Sequence, residues 1–558
     1  MLNPWVFGDE YIYLSKARNL RFGLDVISDA SLGHKYPPIY SYLLTLGITH
    51  NSETTYRNVQ LINFLVAQVF LLVSFFILNK AFSFSKNKEG KFFLILFYLA
   101  ISSSQMLTGF HFVAMSENLY SPLLILIFSL IIFTYKKNKF NFKLFSLISF
   151  LSGVAILTRA IGLTLIPTLI ITMLVTTWKG WEIYLNKNYV IIHGFVNILL
   201  VILFTLGLPK LFTLWESSMV KNLDQAVSHQ SYSANPYLSV FINFFQGKHH
   251  LFNTIKLIGN HFIYLLISSF FIPIFFFGHK IIYTVTEFFK NKKKPAINLI
   301  FLLSFTFFSF VLSYLHCYLG FKSNPIKYST YFRYFDTSIL LIILYGWLQA
   351  WNFYQERKAR VNKKWLSVFT VVAVLIVLIL PPRTFYVTIN SLGWGWLDLL
   401  QNYQWLNKIF VILAILIFSL TINKNKKLLF FWISIIIVIN LLTLKVSLGM
   451  HRWQAGFYRD NLDNILEELI AERKITDFYI NESSLQKINL SYVYYFKYKL
   501  QFITTKIVPV TILGQEDKEK ILNKPYVLIS EQSSLDQLRQ EQPELIKISD
   551  DFNVKIFP

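Results

Sequence analysis

Residues 59–78 read VQLINFLVAQVFLLVSFFIL, twenty positions without a charged side chain. A helix needs about 20 such residues to cross the roughly 30 Å hydrocarbon core of a bilayer. Comparable apolar runs occupy 365–380 and 428–444. Hydrophobic residues make up 54% of the 558-residue chain, which is more apolar surface than a soluble domain can bury. The sequence therefore predicts a polytopic α-helical membrane protein.

The apolar runs predict about twelve membrane spans, and the loops between them predict their orientation. The predicted spans lie near 59–80, 92–110, 118–135, 144–158, 160–177, 189–207, 258–279, 297–319, 334–351, 365–382, 408–422 and 428–448. Loops rich in lysine alternate with loops poor in charge. Because lysine and arginine concentrate in cytoplasmic loops, the lysine-rich set is predicted to lie in the cytoplasm. Both ends of the chain then lie outside a cell (plasma) membrane.

The chain is expected to have three parts of different composition. These are a first extracytoplasmic segment with an acidic pair and juxtamembrane helices (1–58), a transmembrane domain (59–448) and a small extracytoplasmic α/β domain (449–558). In the last part, DFYIN (477–481) and PYVLIS (525–530) are typical of strands, whereas 461–473 and 534–541 are typical of helices.

Charge and cysteine content exclude several classes of function. The net charge of +23 does not indicate a nucleic-acid partner, because the lysines form short clusters between apolar runs. Cys317 is the only cysteine, which excludes an internal disulfide and a thiolate metal cage. The histidines on the outer side match no zinc spacing, so we predict no metal-ligating residues, although a divalent cation is compatible with the chemistry.

Two adjacent carboxylates, Asp9 and Glu10, lie near the start of the first outer segment in GDEYIYLSK (8–16). On the helix expected to follow them, neighbouring side chains point about 100° apart, so the two carboxylates cannot face one atom. One of them can act as a catalytic base while the other holds the loop. The alternative is that Asp9 only caps the helix.

Three further residues on the outer side are candidates for substrate binding. Lys35 and Tyr36 precede a pair of prolines, where they either contact a phosphate or belong to an interfacial belt of lysine and tyrosine. Glu117 precedes the span at 118–135. Its carboxylate either lines the same outer pocket as Asp9 or favours the dipole of its helix.

Arg159, Arg333 and Tyr334 complete the candidate set. Arg159 stands between two apolar runs, where an unpaired arginine costs about 3 kcal/mol, so it requires an anionic partner from the protein or a ligand. Arg333 and Tyr334 stand at the outer end of the span near 334–351. A guanidinium there either binds a lipid phosphate through its two-pronged fork or is an interfacial anchor.

The chain resembles the GT-C glycosyltransferases, in particular the protein O-mannosyltransferases and the aminoarabinose transferase of lipid A. The resemblance covers residues 5–350 and is carried by GDEYIYLSKARNL (8–20), KYPPIYSYLL (35–44), SENLYSPLL (116–124), LTRAIGL (157–163) and RYFDTSIL (333–340), in this order. It implies a multi-pass enzyme that transfers a hexose or pentose, with inversion, from a polyprenyl-phosphate carrier to an acceptor outside the cytoplasm.

The resemblance also implies roles for particular residues. It makes Asp9 the candidate base and makes Lys35 and Arg333 candidate phosphate contacts. The chain departs from the family in two places. Only eight residues precede Asp9, so we expect that the family's first span is missing from this sequence, and Tyr36 separates Lys35 from the prolines.

The chemistry of the residues favours the same reaction. A polyprenyl phosphate leaves readily, so the reaction needs cations and one base for the acceptor hydroxyl, whereas a glycosidase needs two opposed carboxyls. The expected partners are a polyprenyl-phosphate-linked sugar, a lipid, glycan or protein acceptor, and membrane lipid, without nucleic acid. The alternatives are a lipid-linked glycan polymerase or ligase, and a flippase or transporter for a lipid-linked sugar. A transporter would carry ionisable groups near the bilayer midplane.

Overall fold

The computed structural model describes most of the predicted membrane region and five strands of the tail. The described residues are 8–23, 37–136, 142–178, 251–291, 296–321, 332–355, 363–379, 404–421, 427–456, 477–481, 510–513, 526–530, 544–549 and 552–557, with single positions at 199, 202, 203 and 207.

Helices dominate the region before residue 457. They are α1 (Gly8–Phe22), α2 (Ile39–Leu44), α3 (Ser52–Phe82), α4 (Lys88–Ser102), α5 (Gln105–His111), α6 (Glu117–Lys136), α7 (Phe142–Thr158), α8 (Leu165–Trp178), α9 (Leu251–Ser268), α10 (Ile272–Asn291), α11 (Ile297–Phe321), α12 (Asp336–Gln355), α13 (Lys363–Ile379), α14 (Gln404–Thr421) and α15 (Lys427–Gly456). Short 3₁₀ turns lie at Thr45–Gly47, Phe84–Lys86 and Ala160–Thr164.

The apolar helices make the chain a multi-pass membrane protein. Within the described residues, four helices are long and apolar enough to cross a bilayer: α3, α6, Ile297–Tyr318 of α11 and Lys427–Leu444 of α15. The number is six if each of two bent pairs, α4 with α5 and α9 with α10, is counted as one broken span. The predicted span at 189–207 lies almost wholly outside the described residues, so the expected total of twelve stays a prediction.

The predicted span at 258–279 is not one straight helix. The axes of α9 and α10 bend by 111° at their junction. Phe270 and Phe271 have φ angles of 52° and 63°, in the left-handed region that bulky residues rarely adopt. The helix cannot continue through these two residues. The predicted span at 92–110 is likewise divided, because α4 and α5 meet at 54°.

Helix α6 lies at the centre of the bundle and carries Glu117 at its first residue. It is buried along nearly its whole length and packs against α3, α7, α11 and α12. Helices α10 and α12 approach each other at Gly346, where a Cβ atom would lie 2.2 Å from the carbonyl oxygen of Pro273. Only glycine permits this backbone contact.

Helix α1 is fixed by burial on nearly all sides. Its residues from Glu10 to Asn19 are buried, and it packs against α2. The ring of Tyr13 meets that of Tyr40 edge-on at 5.1 Å, and the Tyr40 hydroxyl donates to Oδ1 of Asn63 at 2.8 Å. These contacts attach α1 and α2 to α3. The first turn of α1, which contains Asp9, therefore has a defined position.

The described tail residues form a five-stranded mixed sheet. Its strands are β1 (Asp477–Asn481), β2 (Val510–Leu513), β3 (Tyr526–Ser530), β4 (Glu544–Ser549) and β5 (Phe552–Phe557), in the spatial order β2-β1-β3-β5-β4. Strand β1 is parallel to β2 and β3, and β5 is antiparallel to β3 and β4. The strands predicted at 477–481 and 525–530 coincide with β1 and β3. The predicted helices at 461–473 and 534–541 lie outside the described residues.

Candidate functional site

Four charged side chains from four separate segments meet in an alternating chain. Nη1 of Arg333 lies 2.9 Å from Oδ2 of Asp9, and Nε of Arg333 donates to Oε1 of Glu117. Nη2 of Arg159 lies 2.8 Å from the same oxygen of Glu117. The order is therefore Asp9, Arg333, Glu117, Arg159, and we call these four residues the ion cluster.

Burial differs sharply along the ion cluster. The side chains of Glu117, Arg159 and Arg333 are 1%, 5% and 7% exposed, whereas that of Asp9 is 29% exposed. Buried charges persist only when they are paired, and each of the three buried groups has an opposite partner. Asp9 is thus the accessible end of the cluster, and a ligand arriving from solvent meets this carboxylate first.

Each member of the ion cluster stands at or beside the end of a helix. Asp9 lies in the first turn of α1, and Glu117 is the first residue of α6. Arg159 has an extended backbone (φ −154°, ψ 137°) between α7 and the 3₁₀ turn at Ala160–Thr164. Arg333 lies in a turn before α12. The apolar runs predicted at 144–158 and 160–177 form separate helices on either side of Arg159, because α7 ends at Thr158 and α8 begins at Leu165.

Tyr334 belongs to the same site as Arg159. The guanidinium of Arg159 lies 5.2 Å from the centre of the Tyr334 ring and 6.0 Å from that of Tyr120. Both distances are within the range of a cation–π contact. Among the described residues, no hydrogen-bond acceptor meets Nη1 of Arg159, although the residue is almost fully buried. The site therefore contains a buried cationic donor with unused hydrogen-bonding capacity.

Glu10 is directed away from its neighbour Asp9, as the helical geometry predicts. Its Oε1 accepts from the backbone N–H of Ala114 at 2.6 Å and from the Tyr56 hydroxyl at 2.9 Å. The Tyr56 hydroxyl also lies 3.1 Å from the carbonyl oxygen of Phe112. Glu10 is fully buried, so it joins α1 to α3 and to the segment that leads into α6.

Asn118 organises residues 110–116, the segment that precedes Glu117. Its side-chain amide nitrogen lies 2.8 to 3.0 Å from the carbonyl oxygens of Phe110, Val113 and Met115. These contacts fold residues 110–116 around the amide, which places the start of α6 against Arg333. Sequence reasoning missed Asn118 and Tyr56, since neither residue type has a pattern that indicates such a role.

A neutral phenol stands close to Asp9. Tyr13 follows Asp9 by one helical turn on the same face of α1. Burial raises the pKa of Tyr13 far above its usual value, and the nearby carboxylates of Asp9 and Glu117 raise it further. The phenol therefore keeps its proton at physiological pH and remains a hydrogen-bond donor beside the ion cluster.

Five of the eight predicted site residues meet directly, and Glu10 supports them. Lys35 and Tyr36 lie outside the described residues. Within the part of the chain that the structure describes, no three His, Cys, Asp or Glu side chains are grouped closely enough to hold a metal ion. The site combines an accessible carboxylate, a guanidinium at 2.9 Å from it, and a second guanidinium behind a shared glutamate.

The comparison with known proteins is informative at the level of the fold. No protein-family model and no curated protein matches the chain. Two crystal structures of ArnT from Cupriavidus metallidurans match at a TM-score of 0.53 over 94% of their chain, one bound to undecaprenyl phosphate (13% identity, 99% of this chain) and one in the apo state (12% identity, 100% of this chain). The oligosaccharyltransferase of Archaeoglobus fulgidus matches at 10% identity and a TM-score of 0.44, over 94% of this chain and 65% of its own. The expected resemblance is confirmed at the level of the fold, which the chain shares with ArnT.

Proposed function

We propose that the protein is an inverting glycosyltransferase, which moves a sugar from a polyprenyl-phosphate carrier to an acceptor on the extracytoplasmic side of the plasma membrane. The contact between Asp9 and Arg333 at the accessible end of the ion cluster carries this proposal. The reaction requires a base for the acceptor hydroxyl and a cation for the leaving phosphate. In this contact, Asp9 is the base and Arg333 is the cation. The ArnT fold supports the class of donor, since one crystal structure of ArnT contains undecaprenyl phosphate.

The residues divide between the two halves of the reaction. Asp9 takes the proton of the acceptor hydroxyl while the acceptor oxygen forms a bond to the anomeric carbon. The bond from that carbon to the phosphate oxygen breaks, and its electron pair leaves with the lipid phosphate. Arg333, together with Lys35, contacts the phosphate oxygens, whose charge increases during this step. A guanidinium suits this task because its N–H groups match two phosphate oxygens.

The remaining predicted residues support these two groups. Glu10 holds the loop before α6, and Glu117 holds Arg333 and Arg159 in place. Arg159 supplies a positive charge behind Arg333. Tyr334 lines the site beside Arg159, and Tyr36 is assigned to the substrate-binding surface with Lys35.

Donor binding has a consequence for the strength of the base. The phosphate and the carboxylate of Asp9 compete for Nη1 of Arg333, which lies 2.9 Å from Oδ2 of Asp9. A neighbouring cation stabilises the charged form of a carboxyl group and weakens it as a base. When Arg333 turns to the phosphate, Asp9 loses this stabilisation and becomes a stronger proton acceptor. The donor is therefore expected to bind before the acceptor reacts.

The topology is part of the same proposal. Because lysine-rich loops favour the cytoplasmic side, we propose that the ion cluster and the tail sheet lie outside the cytoplasm, with about twelve spans in residues 59–448 and an α/β domain at 449–558. The acceptor is a lipid, a glycan or a protein that reaches this side. The reaction then requires no cytoplasmic nucleotide sugar at the site.

The experiment is a transfer assay with purified protein in detergent. Radiolabelled polyprenyl-phosphate sugars are offered singly with a membrane extract as the source of acceptor, without any ion gradient. We expect one of them to lose its sugar to an acceptor and to release polyprenyl phosphate. Arg333→Ala should abolish most of this transfer, whereas Arg57→Ala, at an exposed arginine paired with Glu53, should not.

Other outcomes distinguish the alternative functions. Products that contain several linked sugars would indicate a glycan polymerase or ligase. If every donor stays intact in detergent while sealed vesicles move a lipid-linked sugar across the bilayer, the protein is a flippase or transporter and the proposal is wrong.

A further inference from the structure

Arg333 lies in a short turn, residues 332–336, that packs against helix α9. The backbone N–H groups of Phe335 and Asp336 donate to the carbonyl oxygen of Phe332 at 2.6 and 3.2 Å, which closes the turn. Phe332, Phe335 and Asp336 are buried. The two residues in the middle of the turn face the ion cluster: Arg333 belongs to it, and the Tyr334 ring contacts Arg159. The turn thus has one side in the site and one side against the core.

The core side of this turn contacts Tyr264 of α9. The Tyr264 ring stacks on the Phe332 ring with centroids 4.3 Å apart and planes 18° apart. The Tyr264 hydroxyl donates a hydrogen bond to Oδ1 of Asp336, while no donor among the described residues meets Oδ2. Asp336 is almost fully buried, so the hydrogen bond from the Tyr264 hydroxyl satisfies a polar atom that water does not reach.

His261 contacts the same turn one helical turn earlier on the same face of α9. Its ring lies edge-on to Phe332 at 5.0 Å and 5.9 Å from the Phe335 ring. Nδ1 lies 2.8 Å from the carbonyl oxygen of Leu257, and Nε2 lies 2.9 Å from the Ser313 hydroxyl. Because a carbonyl only accepts, Nδ1 carries the proton and Nε2 accepts from Ser313. These bonds fix the ring and join α9 to α11.

We propose that Tyr264 and His261 are positioning residues for Arg333, because together they hold the Phe332–Asp336 turn that aims its guanidinium between Asp9 and Glu117. This inference rests on the proposed function for its effect on transfer, but its geometric content is independent of that function. Displacing a group that contacts the reacting atoms by about 1 Å can lower a rate about 100-fold. Tyr264 and His261 thus act on the reaction through Arg333, without contact with the substrate.

The first test uses donor kinetics and a matched control. Tyr264→Phe keeps the stacked ring and removes the bond to Asp336. We expect the donor kcat/KM to fall about tenfold, as when a buried polar group loses its hydrogen-bond partner, while the acceptor KM stays unchanged. The control Tyr314→Phe removes another tyrosine hydrogen bond to α9, from Tyr314 of α11 to Thr254 at 3.2 Å, and should leave the donor kcat/KM unchanged.

Repeating Tyr264→Phe without Arg333 distinguishes a positioning role from a general loss of protein structure. In an Arg333→Ala background, Tyr264→Phe should cause almost no additional loss, since the group that it positions is absent. The inference is overturned if the loss is equally large with and without Arg333, or if Tyr264→Phe causes no loss in the wild-type background.

The second test needs no enzymatic activity. Melting temperatures in detergent are measured for Asp9→Asn, Arg333→Gln and the double variant, in the native background and with Tyr264→Leu. In the native background, we expect the change in melting temperature of the double variant to differ from the sum of the changes for Asp9→Asn and Arg333→Gln. After Tyr264→Leu, we expect it to equal that sum. Equal coupling in both backgrounds overturns the inference. If wild-type protein transfers no sugar, the proposed function fails, whereas this cycle still decides whether Tyr264 positions Arg333.

Discussion

The most demanding stability prediction concerns Glu117, the carboxylate that two arginines share. Glu117→Gln keeps the shape of the side chain but leaves Arg159 and Arg333 buried without their common anion. Both guanidiniums are less than a tenth exposed, so water cannot replace the lost charge. Removing one partner from a buried ion pair typically costs about 3–5 kcal/mol. We expect a loss of stability in this range.

A surface pair provides the matched control. Glu53 lies 3.7 Å from Arg57 with side chains 33% and 54% exposed. Exposed pairs contribute about 0–1 kcal/mol, so Glu53→Gln makes the same chemical change at almost no cost. A second control is the double variant of Glu117→Gln with Arg159→Gln, which restores the charge balance. It should be less destabilised than Glu117→Gln alone.

The assay is equilibrium or thermal unfolding of the purified variants in one detergent at one pH. The expected order of stability is Glu53→Gln, then the double variant, then Glu117→Gln. If Glu117→Gln and Glu53→Gln differ by less than about 1 kcal/mol, the carboxylate does not neutralise the two buried arginines and the electrostatic account of the ion cluster is wrong.

Three other predictions address the donor, the packing and the topology. Arg333→Ala should weaken use of the donor more than use of the acceptor, and Arg333→Lys should restore only part because lysine lacks the fork; unchanged donor kinetics would reduce Arg333 to an interfacial anchor. Gly346→Val should lower the yield of folded protein, because its Cβ would lie 2.2 Å from the Pro273 carbonyl oxygen, whereas an added Cβ at Gly259 has open space within 4 Å, so Gly259→Val should be tolerated. Alkaline phosphatase fused after Pro558 should be active, and a fluorescent protein in the loop after α12 should fluoresce; an inactive phosphatase would reverse the predicted orientation.

Much of the site follows from the sequence because its residues share one physical feature. Asp9, Glu117, Arg159 and Arg333 are charged residues that interrupt or border apolar runs, and charge patterning in the loops predicts that all four lie on one side of the bilayer. A buried arginine requires an anion, which predicted a partner for Arg159. The structure supplies Glu117 as that partner. Sequence alone favoured a structural ion pair within the protein but left a ligand anion open.

The remaining features of the site depend on contacts between helices. A single sequence does not indicate which residues of two helices lie side by side. Tyr56 lies 46 residues from Glu10, and Tyr264 lies 72 residues from Asp336, yet each pair is joined by a hydrogen bond. The sharp bend at Phe270 also escaped prediction. Its surroundings are mostly large apolar residues, and Ser268, Ser269 and Pro273 interrupt them only briefly, so hydropathy indicates one span where the backbone turns.

The most direct test of the central claim compares turnover of Asp9→Asn and Glu10→Gln at equal folded amounts, with the lipid-linked sugar that the transfer assay identifies. Asparagine keeps the size of Asp9 but cannot accept a proton, and loss of a general base lowers rates by about 10²–10⁴. We predict that Asp9→Asn loses turnover on this scale while it binds polyprenyl phosphate at least as tightly as wild type, and that Glu10→Gln loses less. Near-normal turnover of Asp9→Asn would contradict the assignment of Asp9 as the base and direct the search to Glu117.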